Sequence, residues 1–384
     1  MRFRDALAAP GFGAIAEFKR RSPSAGDLRP AGDPADTARL YERAGASAMS
    51  VLVDERFAGS WDDLRAARAA TSLPIIAKGF FSTDKHLREA RDAGADAALL
   101  ILRDLDDAQA AQLMRDAESL GLDTLVEAHD AEELDRAVRL DAPILGVNAR
   151  NLTTFEMDRR TQLALVARAP RDRVVIAESG ISSRAQAAAA ELAGADAMLV
   201  GQTLMRAPDP GAKLEELLRR PLVKVCGLTR QDDVDAAVEA GADLLGFILS
   251  DTSPRRAAGI LDTPDTVLRV AVFVGDRYET GADLDQVYAL EDGHRARDAA
   301  LMRGEEQVGT VVDLPWGEDD PTHVERARAT AGRVMLAGGL GPENVQDAIA
   351  AVRPWAVDSA RSTERAPGEK DHETLRRWVE AANA

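Results

Sequence analysis

The stretch Ile15-Ala16-Glu17-Phe18-Lys19-Arg20-Arg21-Ser22-Pro23-Ser24 decides how the chain is read. It opens as a strand, with Ile15, Ala16 and Phe18 apolar. Glu17 and Lys19 stand two apart and therefore face the same side. An acid and a base on one face of a buried strand cost free energy unless they are paired or used. A structural ion pair, a solvated edge strand and a working pair are all open at this point. The turn that follows, Ser22-Pro23-Ser24-Ala25-Gly26, is rich in hydroxyls and ends in Gly, which suits a loop contacting an anion.

Outward from this strand a short motif recurs. Ala-Gly-Ala-(Asp or Ser), followed by an apolar run, occurs at Ala44–Val53, Ala93–Ile101, Ala193–Val200 and Ala240–Leu249. Each copy reads as a helix end capped by Gly and then a short buried strand. Alternating helix and strand imply a parallel sheet, and strands apolar on both faces imply a sheet covered on both sides. Eight strand-like runs fall near Ala14–Lys19, Ser47–Val53, Pro74–Lys78, Ala97–Leu102, Asp123–Glu127, Ile144–Asn148, Arg173–Glu178 and Ala197–Val200. Amphipathic stretches such as Asp84–Ala93, Asp106–Leu120 and Arg184–Leu192 lie between them. Eight such units predict a (β/α)8 barrel. A doubly wound sheet is the runner-up, but its Gly-rich dinucleotide fingerprint does not follow the first strand.

The helix Pro210–Arg220 closes this unit, and Pro221 opens a second one. The boundary is therefore set at Arg220/Pro221, giving domains 1–220 and 221–384. Further strands are predicted near Leu222–Cys226, Asp243–Leu249, Arg269–Val274, Leu284–Ala289, Ala299–Arg303, Val308–Asp313, Arg333–Ala337 and Trp355–Asp358. The fold class is α/β, two consecutive barrels. The second is short for the fold and irregular in its middle.

Composition limits the function. A chain of 384 residues with 45% apolar content fills two domains, and only 4% is aromatic. The net charge of -17 argues against a nucleic-acid partner. It makes loop Lys and Arg residues informative, because they must concentrate positive charge where an anionic substrate binds. Cys226 is the one cysteine, so no intrachain disulfide is possible, in keeping with a reducing, cytoplasmic setting. No run is long enough for a membrane span, and Met1-Arg2-Phe3-Arg4-Asp5 lacks the apolar core of a signal peptide. No His/Cys cluster has metal spacing, so neither a metal nor a cofactor is expected. A monomer is expected.

Catalytic groups in such barrels occupy the C-terminal ends of the strands. Strand one ends in Glu17 and Lys19, strand three in Lys78 and strand five in Glu127. Strand six ends in Asn148 with Arg150 just after, strand seven in Glu178-Ser179-Gly180 and strand eight in Gly201. One such charge is usually a solvated loop residue; their convergence is hard to explain as structure alone. Lys78, near Lys19 and among carboxylates, suits a proton donor with a tuned pKa. Glu127 and Glu178 suit proton acceptors or counter-charges. Asn148 and Arg150 suit fixing a carboxylate or hydroxyl. Gly180, Gly201 and the Ser22–Gly26 loop expose N–H groups for a phosphate. In the second unit Cys226 ends the first strand, where a buried small hydrophobe and a thiolate base are both open. Asp313 is its candidate acid, Arg255 a candidate anion clamp, and Gly338-Gly339 a second phosphate nest.

These residues resemble two known families. Ile15–Ser24, Lys78-Gly79-Phe80, Leu125-Val126-Glu127, Asn148-Ala149-Arg150-Asn151-Leu152 and Glu178-Ser179-Gly180-Ile181 are similar to indole-3-glycerol phosphate synthase. Val223–Arg230, Ser253-Pro254-Arg255, Val272-Phe273-Val274 and Leu336-Ala337-Gly338-Gly339-Leu340 resemble phosphoribosylanthranilate isomerase. The resemblance implies a fused enzyme of tryptophan biosynthesis acting on small anionic phosphosugar-anthranilate substrates. It implies that Cys226 removes the sugar C2 proton and Asp313 protonates the ring oxygen in an Amadori rearrangement. In the synthase half it implies Lys78 as general acid for ring closure, with Lys19 and Glu127 sharing later proton transfers. Glu17, Asn148 and Glu178 would orient substrate and lysines. Ser22, Ser24, Phe80, Arg150, Ser179, Gly180 and Gly201 would bind the substrate and its phosphate.

The chain departs from the families' pattern in places. Gly79 stands where the synthase family has Asp, and only Met1–Gly13 precede strand one. In the isomerase half, Val287-Tyr288-Ala289-Leu290-Glu291 replaces Val-Gln-Leu-His-Gly. Leu314-Pro315-Trp316-Gly317-Glu318 replaces a Gly-rich loop, and Asp358-Ser359-Ala360-Arg361-Ser362 ends the last strand, where a charged phosphate contact from Arg361 and a site blocked by it are both open. The alternatives are a synthase with a degenerate C-terminal barrel and a non-catalytic phosphosugar-binding protein.

Overall fold

The computed structural model describes residues 2–151, 154–314 and 320–384. The chain divides into two compact units, with the main change-over between Leu218 and Arg219. Each unit contains a closed eight-stranded barrel.

The first barrel is parallel throughout. Its strands are Gly13–Phe18, Ala48–Leu52, Ile75–Lys78, Ala97–Ile101, Asp123–Ala128, Ile144–Asn148, Val174–Glu178 and Ala197–Val200. The last pairs with the first, Ala14 opposite Met198, and closes the ring. Most strands are buried along their whole length, because helices cover the outer face. Ala14, Ala16 and Phe18 pack outward with helix residues such as Tyr41 and Leu64. Ile15 packs inward with Ile76, Leu125, Ile176 and Leu199. Period-two alternation then carries the inward face up by one layer, to Glu17, Lys78, Glu127, Glu178 and Gly201. Apolar contacts fill the lower barrel, and the charged groups stand above them.

The recurring Ala-Gly-Ala-(Asp or Ser) motif has a second purpose besides the helix cap. Gly94 and Gly241 end their helices at φ +95° and +92°, a region open chiefly to glycine. The fourth residue of each copy then reaches sideways to the neighbouring strand. Asp96 Oδ2 accepts from the Ile75 N–H, Asp196 Oδ2 from Val175 and Asp243 Oδ2 from Val223, each at 2.8 Å. Ser47 Oγ accepts from Ala14 at 3.3 Å. These N–H groups start their strands, where a ladder leaves donors over. Below the floor, the helix Phe3–Leu7 inserts Phe3 and Leu7 into the inner cluster, and its Arg4 N–H donates to Asp123 at 3.0 Å.

The second barrel differs from the parallel sheet that the helix–strand alternation predicts. Its strands are Leu222–Cys226, Leu244–Ile248, Leu268–Val274, Leu284–Glu291, His294–Arg303, Glu306–Val312, Val334–Ala337 and Ala356–Ser359. The fourth, fifth and sixth run antiparallel, as two consecutive hairpins. The first turn is Asp292-Gly293, both at positive φ, +49° and +80°, as a two-residue hairpin turn requires. The second begins at Gly304, φ +58°. Among the described residues no helix joins these strands, and burial alternates along Leu284–Glu291, with Leu284, Gln286 and Tyr288 inside. The missing crossover helices account for the short second domain. The replacement loop at 315–319 lies outside the described residues.

Among the described residues no helix is long and apolar enough to cross a membrane. Replacing Asp96 by Ala strands the buried Ile75 N–H. It is expected to cost about 1–3 kcal/mol in urea denaturation, whereas an exposed Asp62→Ala change on the helix Trp61–Ala70 should cost under about 0.5 kcal/mol.

Candidate functional site

A cavity of about 460 Å³ opens above the apolar layers of the first barrel. That is a common size for a small-molecule site. Glu17, Lys19, Lys78, Glu127 and Asn148 line it from the strand ends. Ser22, Ser24, Phe80, Arg150, Ser179, Gly180 and Gly201 line it from the loops above. Glu178 stands beneath Lys78 and is fully buried.

The groups form one ionic network. Lys19 Nζ lies 2.5 Å from Glu17 Oε1. Lys78 Nζ lies 2.7 Å from Glu178 Oε2, 3.6 Å from Glu17 Oε2 and 3.8 Å from Glu127 Oε2. The Glu17–Lys19 pair on strand one is thus joined to strands three, five and seven. Two glycines make the room. A Cβ on Gly146 would fall 2.1 Å from Glu178 Oε1, and one on Gly201 would fall 2.3 Å from Glu17 Oε1. Gly201, expected to contact phosphate, also serves to admit Glu17. At Gly79 a Cβ would meet the Phe81 ring at 2.8 Å, so a side chain there would have to displace that ring.

Burial pushes the Glu17 carboxyl up, but Lys19 and Lys78 outweigh it and the net shift is down. Burial opposes the charge on Lys78, yet Glu178, Glu17 and Glu127 more than offset this and raise its pKa. Lys78 therefore rests as a cation and gives up its proton only to a strongly basic oxygen. Glu178 is pushed up, first by burial and then by the charge on Glu127. Glu178 is the most buried carboxylate of the set and lies beside a second one, which makes it the natural place for a shared proton. Glu127 Oε2 and Glu178 Oε1 have no hydrogen-bond partner among the described residues. Such buried acceptors await a partner.

The mouth is built from the expected loops. Arg21–Ser22 and Gly26–Asp27 pair as a miniature hairpin, which gives the Ser22–Gly26 turn a defined shape. Ser22 Oγ and Ser24 Oγ are 3.1 Å apart, and Arg150 donates to Ser24 Oγ at 3.1 Å. Asn148 Oδ1 accepts the Arg150 N–H at 3.0 Å. Ser179 and Gly180 both adopt positive φ, +70° and +71°. A serine in that region is strained, and such strain gathers where backbone is being aimed at something. Arg56 and Phe57 were not anticipated. Arg56 stacks 3.6 Å over the Phe80 ring and pairs with Asp54, and both residues line the cavity. The run Asp54-Glu55-Arg56-Phe57 looks like solvated surface in sequence; its place just after a strand end is the signal.

In the second barrel, Lys224 is completely buried, one inward layer below Cys226. Its Nζ lies 2.7 Å from Gln286 Oε1 and 3.0 Å from Asp358 Oδ2. Gln286 donates to Tyr288 Oη at 2.7 Å, and Tyr288 donates to Asp313 Oδ2 at 3.0 Å. Arg295, on the returning strand of the hairpin, donates to the same oxygen at 3.1 Å and stacks 4.1 Å over the Tyr288 ring. Burial raises the Cys226 thiol and Lys224 draws it back, with a net shift upward. Cys226 thus rests as a thiol, and its use as a base depends on Lys224. Arg255 is committed to Glu364, Nε to Oε2 at 2.8 Å. Arg361 is mostly exposed, and the partial desolvation of its head together with the neighbouring Arg255 lowers its pKa. Gly338, at φ +84°, sits where a Cβ would be 2.4 Å from the Leu314 backbone, so it also permits that close crossing. Lys224, Gln286 and Arg295 were missed, because a single Lys or Gln in an apolar strand carries no spacing signal and Arg295 lay on an unrecognised hairpin.

Removing the cation at the centre of the first network tests its electrostatics. Lys78→Met is expected to lower stability by about 3–5 kcal/mol near neutral pH, since it leaves the buried Glu178 carboxylate uncompensated and weakens the hold on Glu17 and Glu127. Burial and mutual repulsion then hold those carboxyls above their unfolded pKa values. The deficit should be full at neutral and alkaline pH and shrink as falling pH protonates them. Urea titrations at about pH 8 and about pH 5 measure it; an equal deficit at both would be the contrary result.

Comparison with known proteins accords with this geometry. Residues 1–217 match the family model of indole-3-glycerol phosphate synthase, and residues 265–381 that of N-(5'phosphoribosyl)anthranilate isomerase. An indole-3-glycerol phosphate synthase of Micrococcus luteus is 50% identical over 210 residues, 54% of this chain and 77% of the relative. One of Mycobacterium ulcerans is 46% identical over 214 residues, 56% of this chain and 79% of the relative. Among solved structures, the phosphoribosyl anthranilate isomerase of Thermus thermophilus aligns at 28% identity, 42% of this chain and 98% of that one, with a TM-score of 0.35. The chain belongs to the indole-3-glycerol phosphate synthase family through its first barrel, and residues 265–381 behind it are similar to phosphoribosylanthranilate isomerase.

Proposed function

We propose that the chain is a bifunctional enzyme of tryptophan biosynthesis. The C-terminal barrel isomerises N-(5-phosphoribosyl)anthranilate to 1-(2-carboxyphenylamino)-1-deoxyribulose 5-phosphate. The N-terminal barrel then closes the indole ring of that product with loss of CO₂ and water. One observation carries the reading: Lys78, Lys19, Glu17 and Glu127 converge on one cavity, with Glu178 beneath them.

In the synthase site the substrate carboxylate lies beside Lys19, and the phosphate on the Ser179, Gly180 and Gly201 backbone. Lys78 donates a proton to the carbonyl oxygen as the new carbon–carbon bond forms. Loss of CO₂ restores the aromatic ring. Glu127 takes the proton released as the hydroxyl departs as water, with Lys19 assisting that departure. Glu178 and Glu17 hold Lys78 and Lys19 in position, and Asn148 and Arg150 orient the substrate. Ser22, Ser24 and Phe80 close over it.

In the isomerase site Cys226, assisted by Lys224, removes the C2 proton and Asp313 protonates the ring oxygen. Tyr288 and Arg295 hold the Asp313 carboxyl meanwhile. Arg255, Arg361, Gly338 and Gly339 receive the anionic ends of the substrate. The match of residues 265–381 to the isomerase model speaks against a degenerate second barrel. The reading places the chain in the cytoplasm and takes it to act as a monomer.

Separate assays on the two substrates test the assignment. Lys78→Ala should lower the synthase rate by about 10²–10⁴-fold and leave the isomerase rate intact. Cys226→Ala should do the reverse. A Lys78→Ala chain with an undiminished synthase rate, or a Cys226→Ala chain with an undiminished isomerase rate, would refute that half.

A further inference from the structure

His129 follows the fifth strand of the first barrel, two residues beyond Glu127, and stands behind Glu127 rather than in the cavity lining. Its Nδ1 hydrogen-bonds Glu133 Oε2 at 2.9 Å, and its Nε2 lies 3.1 Å from Glu127 Oε1 as an ion-pair contact without hydrogen-bond alignment. All three side chains are about nine-tenths buried or more. Glu133 is fixed in turn: its oxygen accepts the His129 backbone N–H at 2.8 Å, and its own N–H donates to Asp130, the cap of the helix Ala131–Arg139. The imidazole therefore stands between two carboxylates, hydrogen-bonded to the one on the helix side and charge-paired with the one that lines the cavity. Glu127 presents its other oxygen, Oε2, towards Lys78, with no hydrogen-bond partner among the described residues.

We propose that His129 is a positioning residue for the synthase reaction: clamped as a cation between Glu133 and Glu127, it fixes Oε1 of Glu127 and leaves Oε2 free to take a proton from the substrate. The inference rests on the reading of Glu127 as a proton acceptor in the synthase site. A carboxylate needs two things to act as a base here, an ionised resting state and a fixed lone pair. Lys78 alone cannot supply the first, because Glu178 and Glu17 also claim its charge. His129 adds a third cation to the network, on the far side of Glu127 from the substrate. The charged groups facing the pair are Glu133 and Asp130 on the helix side, and Lys78, Glu178 and Glu17 on the cavity side. Burial alone would lower the imidazole pKa, but Glu127 and Glu133 outweigh it and bring it up to about 9. Burial pushes Glu127 up, and His129 and then Lys78 bring it down to about 2. A purely structural His129, serving only to tie Glu133 to the helix cap, would leave the ionisation of Glu127 untouched.

The test is the pH profile of the synthase rate for the full-length chain, with 1-(2-carboxyphenylamino)-1-deoxyribulose 5-phosphate as substrate. His129→Asn should lower kcat about tenfold near neutral pH, with KM changed less than about threefold. Its acid limb should move up by about one pH unit or more. His129→Lys, which keeps the cation, should move that limb back. Glu133→Gln leaves His129 in place but removes one of its two anions. It should move the basic limb down from near pH 9, and it serves if His129→Asn does not fold. Profiles that superimpose on wild type after scaling, in Glu133→Gln and in any folded His129 variant, would overturn the proposal. An inactive wild type, or Glu127→Gln at the wild-type rate, would instead overturn the site reading on which it rests.

Discussion

A buried ammonium among three buried carboxylates governs the first barrel. Lys78 is held by Glu178, Glu17 and Glu127 from three different strands. No strand can place such a set alone, and each partner is expensive to bury without the others. The surrounding sequence gives way to it. Gly146 and Gly201 lack side chains where Glu178 and Glu17 need the space. The layer directly beneath, with Ile15, Ile76, Leu125 and Ile176, is apolar, so the charges cannot sink further and the cavity is kept at the rim. The same arrangement separates two tasks: the Asp and Ser side chains that tie strand starts together lie at the opposite end of the strands from the ionic groups.

The sequence made much of this legible. A strand one face of which reads Ile15, Glu17 places an apolar layer below an ionic one, and the same step from apolar to polar recurs at Ile76 to Lys78, Leu125 to Glu127 and Ile176 to Glu178. That repetition, at strand ends, marks a site without any knowledge of distance. The glycine of Ala-Gly-Ala-Asp was readable as a cap. Its aspartate was not readable as a sideways tie, because the donor sits some twenty residues earlier, on the preceding strand, and no local spacing links the two. His129 escaped notice for a related reason. One histidine after a strand is most often incidental, and only the turn of the following helix brings Glu133 back to it.

The hairpins of the second barrel were missed although their signal was present. Asp292-Gly293 between two alternating runs is the strongest short-range mark of a hairpin. The expectation of helical crossovers, set by the motif at Ala240–Leu249, overrode it. Closure of the barrel limits what such a replacement can do. Eight strands must still meet edge to edge, so the hairpins supply the same number of strands with fewer residues. In doing so they turn one strand over. Its beginning, at His294 and Arg295, now lies at the rim where the other strands end, and this is how Arg295 reaches Asp313.

That inversion also alters how far apart in the chain the neighbours of the barrel lie. Tyr288 pairs with Ala299, eleven positions on, whereas in the first barrel Leu99 pairs with Leu125, twenty-six positions on. The entropy of bringing two segments together grows with the chain between them, and contacts of short separation form fastest. The middle of the second barrel is therefore its most local part, a three-stranded meander that needs no distant segment to begin pairing. The parallel strands on either side must wait for theirs.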